Sequence, residues 1–146
     1  MKTATLICMS LLSLIFSAEA FAEKIIWEGK VSSDGTPSKS IPLILRKEYQ
    51  IKVTGSVNLG KWIQNSEKLA NDACYEFNSE KEVAKIDALK NSQGISVCDG
   101  TYHQDHIYKS IKFAAKQNRI HFWANDTDYD DNSGSLHVEI IQLDDN

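Results

Sequence analysis

The chain is 146 residues long, carries a formal charge of −4 and is 42% hydrophobic. This size and composition suit one domain around one core. The mild acidity argues against nucleic acid as a partner, since that role requires a basic face.

Residues 1–22 have the order of a secretory signal peptide. Lys2 gives the positive end, residues 6–16 the short apolar run, and Ala20-Phe21-Ala22 the small-x-small cleavage site. Cleavage after Ala18-Glu19-Ala20 is the near alternative. The run is too short to span a bilayer, Cys8 within it lacks a lipoprotein box, and no later stretch is apolar enough for membrane insertion. The expectation is an exported product, periplasmic or secreted, with residues 23–146 as its single domain. Two cysteines fall there, Cys74 and Cys98. In an oxidising compartment a disulfide between them is the economical arrangement, against two separately buried thiols. Neither has a neighbouring His or a CxxC partner for redox chemistry.

Over residues 25–31 β-branched and aromatic residues nearly alternate, which predicts a strand, with Gly29 marking a bulge or a close approach. Residues 32–40, with Asp34-Gly35 and Pro37, form a polar loop. A short strand over 41–45 has its edge or start at Pro42, and a charged turn follows at 46–48. Residues 49–54 alternate cleanly, turning Tyr49, Ile51 and Val53 inward. Residues 55–62 are flanked by glycines and predict a loop whose backbone approaches something closely.

Beyond that loop the pattern thins. It predicts a helical turn over 68–73, a strand over 74–77, a strand rather than a helix over 83–89, a turn at 91–94 and a short strand over 95–98. A loop at 99–105 precedes 107–114, with Ile107, Ile111 and Phe113 as the apolar set. A turn at 116–118 leads to a strand over 120–124, the last strand covers 135–141, and 144–146 is a polar end. Many short strands punctuated by turns predict an all-β fold, an antiparallel β-sandwich.

The segment between the last two strands is Asn125-Asp126-Thr127-Asp128-Tyr129-Asp130-Asp131-Asn132-Ser133-Gly134, with four carboxylates within six residues. At ~6 Å and an effective dielectric of ~20, each pair of these charges repels by roughly 3 kcal/mol. Such a loop either splays into water or closes on a hard cation that takes oxygen ligands, and calcium is the expectation. A metal-free acidic hairpin is the alternative, because Asp, Asn, Ser and Gly are ordinary turn formers. An EF-hand is excluded: Asp131 stands where its sharp-turn glycine belongs, His137 where its bidentate Glu belongs, and the flanks are strand-like.

Other candidates are weaker. His103-Gln104-Asp105-His106 offers two imidazoles but no third or fourth ligand for zinc, so a polar loop is expected there. His121 and His137 fall on strands as packed or surface residues, and Trp27 and Trp123 as core. Trp62 either stacks on a sugar face or anchors its loop from beneath. The sequence has no nucleophile–base pair, phosphate loop or cofactor fingerprint. The clustering of Asp126 and Asp131 suits a cation better than a glycosidase acid–base pair, so no enzyme is expected.

Three blocks then resemble the PA-I galactophilic lectin family, small calcium-dependent galactose-binding β-sandwiches. They are Trp27-x-Gly29-x-Val31; Tyr49-Gln50-Ile51-Lys52-Val53 with Gly55, Gly60, Lys61 and Trp62; and Asn125-Asp126 followed by Tyr129-x-Asp131-Asn132-Ser133-Gly134, Val138 and Ile140. The resemblance implies a galactose-binding-like jelly roll. It implies Ca2+ held by the side chains of Asp126, Asp131 and Asn132 and by the backbone carbonyls of Asp128 and Leu59, with sugar hydroxyls completing the shell. Asp126 and Asp131 would also hydrogen-bond the sugar. The implied partner is a galactose-type glycan, and weak single-site binding favours a homo-oligomer.

The chain also departs from that family's pattern. Its loop between Asp126 and Tyr129 is shorter and lacks a Pro-Gly, Asp131 replaces a common carboxamide, and Leu59 stands where an aromatic residue is frequent. For the family's His and Gln sugar contacts, Gln64 is the one counterpart within 63–73. A non-lectin exported β-sandwich with a structural calcium and a protein partner is the alternative function.

Overall fold

The computed structural model describes residues 23–60, 69–79 and 81–143. The expected signal segment lies outside these residues, as do Trp62 and Gln64. Among the described residues the fold is all-β and antiparallel, without a helix. In chain order the strands are β1 (Lys24–Ser32), β2 (Ile41–Pro42), β3 (Glu48–Thr54), β4 (Val57–Asn58), β5 (Ala70–Asn71), β6 (Tyr75–Asn78) and β7 (Lys81–Lys85). They continue as β8 (Leu89–Asn91), β9 (Ile107–Lys109), β10 (Phe113–Ala114), β11 (Arg119–Ile120), β12 (Phe122–Ala124) and β13 (Ser133–Gln142).

The long strand β13 organises the largest sheet. One edge pairs with β1, from Lys24 opposite Gln142 to Ser32 opposite Ser135. The other edge pairs first with β4 and then with β3, with Val53 opposite Val138 and Ile51 opposite Ile140. Between β3 and β4 the chain bends at Gly55, whose φ of 96° suits a residue without a Cβ. The sheet continues through β9 and β10 beside β3, and through β5, β6 and β7 beyond β4; β2 with β11 and β8 with β12 form two smaller pairs.

Period-two alternation explains the core. Tyr49, Ile51 and Val53 of β3 and Leu136, Val138 and Ile140 of β13 are at most 2% exposed. With Val31, Tyr75, Leu89, Tyr108, Ile120 and Phe122 they form one apolar cluster. The alternate residues face outward, where Lys52 Nζ pairs with Glu139 Oε1 at 3.0 Å.

Cys74 and Cys98 are joined in a disulfide, with their Cα atoms 5.5 Å apart. Beside it Asp72 is fully buried. Its Oδ1 accepts from the backbone N–H groups of Cys74 and Tyr75 at 2.8 and 2.7 Å, and its Oδ2 from the Tyr108 hydroxyl at 2.9 Å and His106 Nδ1 at 3.0 Å. These bonds satisfy a carboxylate that would otherwise be costly to bury. Burial, reinforced by Asp72, pushes the Tyr108 hydroxyl above its ordinary pKa.

Several local expectations are corrected. The described part of the expected helical turn is not helical: Ala70–Asn71 form strand β5, Asn71 Oδ1 accepts from Leu59 N, and Asp72 Oδ1 turns the chain by accepting from the N–H groups of Cys74 and Tyr75. Residues 95–98 are not a strand: both backbone groups of Ile95 bond to the Asn91 side chain. Within 107–114 the inward residues are Tyr108, Ser110 and Phe113, whereas Ile111 is 79% exposed and Ile107 36%. Trp123 is half-buried and packs on His121 at 5.4 Å, while its neighbours Phe122 and Ala124 turn inward. Trp27 stacks on Phe122 at 5.9 Å, and its ring lies close over Gly29, where a Cβ would collide with it.

Candidate metal centre

The acidic loop joins β12 to β13, and its ends are fixed by β8 on one side and by β1 and β4 on the other. Hydrogen bonds pin the ends of the loop, while residues 127–131 are exposed. Asn125 donates its backbone N–H to Ala88 O at 2.8 Å and its Nδ2 to Asp87 O at 3.1 Å. Tyr129 folds back: its hydroxyl donates to Ala124 O at 3.1 Å and accepts from Asp126 N at 3.3 Å. Asn132 N donates to Tyr129 O at 3.3 Å, closing a turn over Asp130 and Asp131.

This closure leaves particular oxygens without partners. Asp126 Oδ1 accepts from Thr127 N at 2.6 Å, but Asp126 Oδ2 is buried with no hydrogen-bond partner. Asn132 Nδ2 donates to Ser33 O at 2.8 Å, which fixes the orientation of the carboxamide. Its Oδ1 is then buried and unpartnered as well. A buried acceptor left this way costs about 1–3 kcal/mol, and a charged one more.

The loop that follows β4 meets the acidic loop. Leu59 is buried and donates its N–H to Oδ1 of the buried Asn71 at 3.1 Å. Gly60 donates to Asn58 Oδ1 at 2.8 Å and has a φ of 78°. A Cβ on Gly60 would collide with the carboxylate of Asp131, so a bare α-carbon is what lets the two loops touch. Asp128 is exposed, and its carboxylate accepts from Asp130 N at 3.1 Å.

No described Lys, Arg or His is in ion-pair contact with Asp126, Asp128, Asp130 or Asp131. Among the described residues no three His, Cys, Asp or Glu side chains gather as a metal group. What the loop offers is of another kind, the carboxylates of Asp126 and Asp131 with the Asn132 carboxamide, oxygens of the type that a hard cation such as calcium would take. Orphaned buried oxygens and a glycine cradle for Asp131 fit such an ion.

Beside this centre lies a cleft of about 280 Å³ lined by Leu59, Glu76, Ala84, Asp87, Ala88 and Asn125. Glu76 is 3% exposed, and burial pushes its carboxyl above the ordinary Glu range. Asp87 Oδ1 is buried and unpartnered, while Oδ2 pairs with Lys90. Sequence reasoning missed Glu76, since a Glu in an alternating strand reads as an outward residue. It also missed Asn58 and Asn71, which prop the loop around Leu59; Asn58 in a glycine-flanked segment was the available signal.

The two loop histidines are joined by a backbone bond, His106 N–H donating to His103 O at 2.9 Å, but their rings bond different carboxylates. His103 Nε2 bonds Asp99 at 2.8 Å and His106 bonds Asp72, so each serves a different carboxylate. The Thr101 N–H and His103 together hold the Asp99 carboxyl below the usual range. Trp62 and Gln64, expected to flank the ligand, lie outside the described residues. Compared with protein-family models, with curated proteins and with solved structures, the chain returns no match.

Proposed function

We propose that the protein is an exported, calcium-dependent carbohydrate-binding β-sandwich of the galactose type. The observation that carries this reading is the pair of buried, unpartnered oxygens, Asp126 Oδ2 and Asn132 Oδ1, on a loop whose Asp131 rests against Gly60. Asp126, Asp131 and Asn132, with the carbonyls of Leu59 and Asp128, would hold the ion. Bound there, calcium supplies a hard positive centre with coordination positions open to vicinal hydroxyls. Asp126 and Asp131 orient those hydroxyls by accepting their hydrogen bonds, and by resemblance Trp62 and Gln64 border the sugar. Binding breaks no covalent bond. The disulfide supports an oxidising compartment and hence export.

A glycan array run with calcium and with chelator tests the reading. Galactose-type signals that appear only with calcium, and that Asp126→Ala abolishes, support it. Calcium-dependent stabilisation without any glycan signal would instead favour a structural ion in a module with a protein partner.

A further inference from the structure

We infer that the cleft beside the metal centre is a second subsite, in which Glu76 takes a hydrogen-bond-donating group of a saturated sugar ring. This inference rests on the lectin reading and extends it to a group that the cation does not touch. Leu59 and Asn125 connect the two places. Both line the cleft, Leu59 belongs to the loop against Asp131, and Asn125 precedes Asp126. A ring held at the cation would therefore have one edge over the cleft.

The chemistry of the lining selects the occupant. Glu76 is 97% buried, by difference from its 3% exposure, and has no hydrogen-bond or ion-pair partner among the described residues. Its neighbours across the sheet, Asn71 and Ala84, provide no side-chain donor to it. Lys85 lines the cleft but does not pair with it, and Lys90 is engaged by Asp87. Asp87 Oδ1 is a buried acceptor without a donor. An occupant that supplies donors gives Glu76 a partner and can satisfy Asp87 Oδ1, whereas one that supplies acceptors alone does neither. At about 280 Å³ the cleft is near the small end of ligand pockets, typically about 300–1,000 Å³, and suits one ring or substituent rather than an extended chain.

Hydroxyls of a neighbouring sugar and the ammonium of an amino sugar share this donor chemistry, and one experiment separates them. Calorimetric titrations with calcium present compare galactose, a galactose-terminated disaccharide and 2-amino-2-deoxygalactose on the wild type, Glu76→Gln and Glu76→Ala. The wild type is expected to prefer the disaccharide or the amino sugar over galactose by about tenfold, the scale of one charge-assisted hydrogen bond. A disaccharide preference assigns the hydroxyl, and an amino-sugar preference assigns the ammonium. Both variants should lose the preference while keeping their galactose affinity and their calcium-induced shift in Tm, which shows that they are folded. Galactose binding with no preference in the wild type, or a preference that both variants retain, overturns this inference and leaves the lectin reading standing. Absence of all calcium-dependent sugar binding overturns both.

Discussion

Asp131 lays its carboxylate against the α-carbon of Gly60, joining two loops that are 71 positions apart in the sequence, the difference between 131 and 60. The contact needs both the missing Cβ and the left-handed φ of 78°. Gly60→Ala should therefore move the loops apart, with about 1–2 kcal/mol of backbone strain in addition to the collision. Titration calorimetry is expected to show calcium affinity lower by at least about tenfold. An unchanged affinity would mean that the loop after β4 takes no part in the site.

Asp126 tests the opposite signs of charge repulsion and metal binding. In chelator, Asp126→Asn should raise Tm by a few degrees, because one of four like charges clustered within six residues is removed. With calcium present the variant should lose about 100-fold in calcium affinity and with it the ligand-linked stabilisation. Differential scanning calorimetry in both buffers reads the two signs in one experiment.

Burial raises the pKa of Glu76 from its ordinary value of 4.5. An acid whose folded-state pKa is raised binds its proton more tightly in the folded protein. Its contribution to stability is complete below the unfolded-state value and is lost as pH rises through the folded-state value. Glu76→Gln removes this loss, so without ligand it should raise stability by about 1 kcal/mol at neutral pH, a few degrees in Tm. The gain should vanish below pH 4.5. A gain that is constant with pH would locate the effect elsewhere.

The disulfide and the Asp72 cluster together anchor the segment carrying β5 and β6. Replacing Cys74 and Cys98 by Ala should cost about 3–4 kcal/mol by loop closure over a separation of 24 residues. Tyr108→Phe removes one of the hydrogen bonds to buried Asp72 and should cost about 1–3 kcal/mol. Urea unfolding of each variant under non-reducing conditions measures both.

The strands around β13 were legible because apolar alternation writes burial directly into the sequence. Tyr49, Ile51 and Val53 turn inward as the pattern predicts and meet β13 in register. Alternation misled at 107–114, where the inward position between Tyr108 and Phe113 is a serine. Ser110 is buried because its hydroxyl accepts from Ile51 N at 2.9 Å and its own N–H donates to Ile51 O at 2.8 Å. The acidic loop announced its composition, but not which oxygens its closure would orphan. That depended on Ser33, 99 positions from Asn132, accepting the carboxamide N–H. Glu76 was illegible for a related reason, since only the neighbouring strands decide whether a strand's second face is covered.

Calcium titration of the protein by isothermal calorimetry, paired with thermal unfolding, tests most directly whether the loop between β12 and β13 is a metal centre. One ion per chain is expected to bind, with heat that disappears in Asp126→Ala and a Tm that rises with calcium and falls back with chelator. No heat and no change in Tm at millimolar calcium would contradict a metal centre there, and the proposed sugar site would fall as well.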